Sequence, residues 1–108
     1  MSVESKGLAT WIEGLNRDYK RLEETAVKKS NELAVLRARV EVVTVAAEWI
    51  SNADEREAFH RKFIATAEAE VETTAKDLAD LRNERKELLG HIKLIDRAYQ
   101  SGAYNNAP

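Results

Sequence analysis

The chain of 108 residues contains no cysteine, which excludes a disulfide framework, thiolate metal sites and thiol catalysis. Proline occurs once and glycine four times, so few residues would interrupt a helix. Aromatic residues make up only 6%. No apolar run approaches the ~18 residues of a membrane span. The opening MSVESKG lacks a basic-then-apolar pattern, so no secretory leader is expected and a cytoplasmic location is the first expectation. Charge of one sign is not in excess either: 17 Lys+Arg stand against 19 Asp+Glu, for a net −2. That balance argues against holding a polyanion by bulk electrostatics. A Gly-rich phosphate loop, an HExxH helix and a Ser-bearing elbow near a His are all missing. A non-enzymatic chain without cofactor, nucleic acid or membrane partner is therefore expected.

What is present is 44% hydrophobic and 33% charged residue content. That is too apolar for disorder, and it has the Ala, Glu, Lys, Leu and Arg balance of long helices and coiled coils. The length allows one small domain. From Leu8, apolar positions step by four and three: Leu8, Ile12, Leu15, Tyr19, Leu22, Ala26, Lys29, Leu33, Leu36, Val40, Val43, Ala47, Ile50. Only Lys29 breaks the series. A second array runs Ile64, Ala67, Val71, Thr74, Leu78, Leu81, Arg85, Leu88, Ile92, Ile95, Tyr99. A 3.5-residue period keeps one seam facing a partner helix throughout.

The two arrays are out of phase by three residues across Ser51-Asn52-Ala53-Asp54. Asn52 with Glu55, or Asp54 with Glu57, would start a second helix as a capping box. The expected fold is thus all-α: an antiparallel two-helix coiled-coil hairpin, with a continuous helix carrying a stammer as the competing reading. The arms cover about 8–50 and 54–100, after a flexible segment 1–7 and before a disordered tail 101–108. Gly102 suits the helix stop, and Tyr104 is the tail's one anchor. Folding about 53–54 places Leu15 with Ile92, Leu36 with Val71 and Val43 with Ile64. It also sets Arg37 opposite Glu68, Glu23 opposite Arg82 and Arg39 opposite Glu70, with Glu32 and Asp77 as a repulsion. Arg85 falls near Tyr19, within reach of a cation–π contact.

The turn-proximal half carries a second apolar face. Val35, Val42 and Trp49 repeat at seven, with Val45 beside them and Phe59 and Phe63 on the return arm. Three readings stay open: a wider core for the hairpin itself, a homodimer forming a four-helix bundle, or docking onto another protein. A small adaptor, an assembly component and an inhibitor fit equally. Glu57-Ala58-Phe59-His60 is an E-x-x-H at i, i+3, and with Glu48 it sets out the ligand types of a metal-binding half-bundle.

Trp49-Ile50-Ser51, followed by Phe59 and Phe63, resembles the turn of the small secreted helical-hairpin proteins named for their Trp-x-Gly motif. That likeness implies a secreted or virion-associated structural hairpin. Ser51 stands where the motif has Gly, Tyr99 is followed at plus four by Ala103 where the family has an acidic residue, and the likeness covers some fifteen residues.

Overall fold

A computed structural model describes residues 2–103. Helix α1 spans Val3–Glu48, α2 Ala53–Phe59 and α3 Ala65–Gln100, with a π-helical turn at His60–Ile64 between the last two. The fold is all-α, and α1 and α3 pack antiparallel. Among the described residues no helix is long and apolar enough to cross a membrane.

Helix α1 starts ahead of the expected Leu8 because Ser2 caps it: the Ser2 hydroxyl accepts the Ser5 N–H at 3.1 Å. It ends before Ile50, in a four-residue link made without any left-handed residue. Of the two caps the sequence offered, the structure uses Asn52. Its side-chain oxygen accepts the N–H groups of Asp54 and Glu55 at 2.9 and 3.0 Å. Arg56 then reaches back across the turn and donates from Nε and Nη2 to the Ile50 carbonyl, at 3.1 and 2.8 Å. One side chain thereby satisfies a carbonyl that the end of α1 leaves without a helical partner. Asn52→Ala is expected to lower thermal stability by about 1 kcal/mol while Asn52→Asp retains it, as thermal melts would show.

The π turn closes with the Ala65 N–H donating to the His60 carbonyl, five residues back. Five residues on a regular α-helix lie about 140° apart in projection. Widening the turn brings Phe59 and Ile64 toward one side. Phe59 is accordingly half-buried and Ile64 buried.

Every one of the thirteen seam positions of the first array and the eleven of the second is buried or half-buried. All seven buried hydrophobics lie on the seam: Ala26, Leu33, Ala47, Ile64, Ala67, Leu78 and Ile92. The chain divides into two compact units, residues 26–80 and residues 1–25 with 81–108.

The unit of residues 26–80 holds the turn and six of the seven buried positions. Here Arg39 Nη1 meets Glu70 Oε2 at 3.2 Å, the pair the fold-back register requires. Arg37 and Glu68 form no ion pair, since an exposed pair gains only about 0–1 kcal/mol against the freedom of two long side chains. Lys29, the break in the seam, keeps its stem half-buried and sends its ammonium to Glu32 at 3.3 Å.

Among its described residues the other unit contributes a single buried position, Ile92. It also holds the helix-interior glycines Gly7, Gly14 and Gly90, each with room for a Cβ. Each costs about 0.5–1 kcal/mol relative to Ala. Tyr19 donates to the Glu23 carboxylate, which holds the phenol above its ordinary pKa, with burial and the charge of Glu23 adding and the Arg85 charge opposing. The expected pair of Glu23 with Arg82 does not close. Arg85 also makes no ring contact with Tyr19. At the end of α3, Gly102 takes φ 72° and its N–H reaches the Tyr99 carbonyl at 3.0 Å, the left-handed stop expected of it. Tyr104 and the tail from 104 lie outside the described residues.

Candidate interaction face

Heptad lettering organises the surface of residues 26–80. With a at 26, 33, 40 and 47, the residues Val35, Val42 and Trp49 are all c, and Glu32, Arg39 and Ala46 are all g. With a at 64, 71 and 78, Phe63 and Glu70 are g and Thr66 and Thr73 are c. Positions c and g share one side of a helix, and in an antiparallel pair g faces g. The Arg39–Glu70 bond shows that facing directly.

Most of the exposed large apolar side chains of residues 26–80 lie on this side, with Val45 at f next to it and Val27 at b on the other. Trp49 is 81% exposed, Val42 68% and Val35 62%, with Val45 and Phe63 also exposed. Five of the six expected contact residues thus stand in solvent. Phe59 is the exception. It is half-buried and packs on Phe63, with ring centroids 4.8 Å apart at a tilt of 43°. The Lys62 ammonium lies 5.3 Å from the Phe63 centroid. Phe63, not Phe59, is the aromatic the return arm offers outward.

Two depressions mark the same side. A groove of about 1160 Å³ runs between the arms, with Val35 and Leu36 on one wall, Ala65 and Ala69 on the other, and Arg39 and Glu70 bridging it. Nearer the turn, Val42, Val45, Ala46 and Trp49 line a hollow of about 340 Å³ with Glu41. Medium-sized apolar side chains standing beside small ones leave recesses that large side chains could fill.

The three candidate metal ligands, Glu48, Glu57 and His60, are not brought together. His60 is exposed, Glu57 faces Arg61 at 3.9 Å, and among the described residues no group of three or more His, Asp or Glu stands close enough for a metal ion. The E-x-x-H keeps α-helical geometry, with the His60 N–H still donating to the Arg56 carbonyl at the end of α2, but the side chains of Glu57 and His60 both stand in solvent.

The other unit exposes three large apolar residues: Val3, Trp11, which stands beside a hollow lined by Gly14, Leu15 and Asp18, and Leu94. Trp11 is a g residue and Leu94 a c residue. Trp49 and Ser51 do sit at the turn, as the Trp-x-Gly likeness requires. Compared with protein-family models, with curated proteins and with solved structures, the chain matches none of them.

Proposed function

We propose that this chain is a non-enzymatic protein–protein interaction module that works through the c and g face of residues 26–80. The carrying observation is the stripe Val35, Val42, Trp49, exposed on one side next to the groove between the arms. A buried valine or larger apolar side chain contributes about 1.5–3 kcal/mol relative to an exposed one. Leaving several in water together forgoes that gain unless a partner covers them.

Trp49 and Phe63 are the anchors, since aromatic residues in central positions carry most of the energy of such contacts.

The test is a photo-crosslinking amino acid placed at Val42 or Trp49, with Ala34 on the opposite, b-position side as the comparison, in the native host. Protein adducts should form from 42 and 49 and not from 34. Equal adducts from all three, or none from any, would remove the reading.

A further inference from the structure

We propose that the occupant of this face is a second copy of the chain, docked with its turn at the same end as the first, on a two-fold axis running along the hairpin of residues 26–80. The inference rests on the interaction reading above and names its partner.

Its basis is the charge pattern at the middle of the face. Arg39 and Glu70 are both g residues and lie 3.2 Å apart. A two-fold axis along the hairpin sets the first arm of one chain beside the second arm of the other, antiparallel and at equal height. Arg39 then faces the second copy's Glu70 as well as its own, closing a ring of four alternating charges. Such complementarity fixes orientation and register. The same operation sets c against c, Val35 against Thr73 and Val42 against Thr66, larger side chains meeting smaller ones. Toward the turn, Trp49 and Phe63 stand exposed and Phe63 packs on Phe59, so the turn ends bring aromatic rings to the contact.

The opposite-end arrangement is worse on the same residues. With its axis through Val42, it sets Glu70 against Phe63 and Arg39 against Ala46. Arg39 and Glu70 would then keep only each other and gain no opposite charge from the second copy, so this arrangement lacks the complementarity of the ring. The face also has a natural limit. Glu32 and Asp77, both g, would form a ring of like charge, so contact stops beyond Val35. About 14 residues of helix, ~21 Å at 1.5 Å per residue, place the contact in the smaller, reversible class of interfaces.

Sedimentation equilibrium decides the matter with wild type, R39E, E70R and an equimolar mixture of the two variants. Wild type is expected to reach twice the 12.2 kDa chain mass by roughly 100 µM. Each variant alone makes four like charges and should associate at least about tenfold more weakly. Their mixture sets two acids against two bases and should recover the wild-type mass, which also shows that both variants fold. A monomeric wild type, or variants that associate as well as it does, would overturn the proposal. Because the chain has no cysteine, V42C/T66C under oxidation should give a crosslinked dimer and V42C alone should not. A dimer from V42C alone would mean opposite-end docking and overturn the orientation. A monomeric wild type that still gives foreign adducts at Val42 would sink this proposal and spare the interaction reading; neither dimer nor adduct would sink both.

Discussion

Leu33→Ala is expected to lower stability by about 2–5 kcal/mol, the range for truncating a buried leucine. Leu33 is 5% exposed and sits at an a position with the seam closed around it. Among the described residues no side chain is below 2% exposure, so this core has little redundancy. Small domains hold only about 5–15 kcal/mol in total, so the loss would remove much of the cooperative transition. Val35→Ala, two residues away on the exposed c stripe, should change stability by less than about 0.5 kcal/mol. Urea titrations followed by circular dichroism would measure both. Equal midpoints for the two variants would mean that the seam is not the core.

Deleting single residues should give a still sharper contrast. Removing Glu72 from α3 rotates everything after it by 100° relative to what precedes it. Leu78, Leu81, Leu88 and Ile92 would leave the seam together, and cooperative unfolding at ordinary temperature should be lost. Removing Lys62 instead takes one residue from the π turn, which reverts to α-helix with its flanks in place. The second variant should keep its helical signal and a melting transition, with a modest loss from freeing the Phe63 contact. If Lys62 deletion unfolds the chain as fully as Glu72 deletion, the π turn does not absorb one extra residue between its flanking helices.

Much of this fold is legible in local pattern. The alternation of four and three needs no knowledge of the partner helix, because side chains at that spacing share a face wherever the helix goes. Hence each of the seam positions, Lys29, Thr74 and Arg85 included, is at least half-buried. The turn was equally open to reading, from the phase break and the run of cap-forming residues. The candidate face was legible in part: Val35, Val42 and Trp49 repeat at seven and are exposed, whereas Trp11 and Leu94 were passed over because each stands alone in its stretch of sequence. That Phe59 is half-buried while Phe63 is exposed could not be read from the pattern, because no residue type announces a π turn.

The sequence by itself determined that the chain is helical, that its heptad phase breaks at residues 51–54, and which stripe of each arm is covered. These follow from periodicity and capping chemistry, which act over three or four residues. Only the tertiary structure decided that Asn52 and not Asp54 caps α2, that Arg56 reaches the Ile50 carbonyl, that Arg39 closes on Glu70 while Arg37 and Glu68 stay apart, and that Phe63 rather than Phe59 faces out. Each of those choices turns on a few ångströms between groups whose letters or residue types were interchangeable in the sequence. Distances of that size are set when the two arms come together.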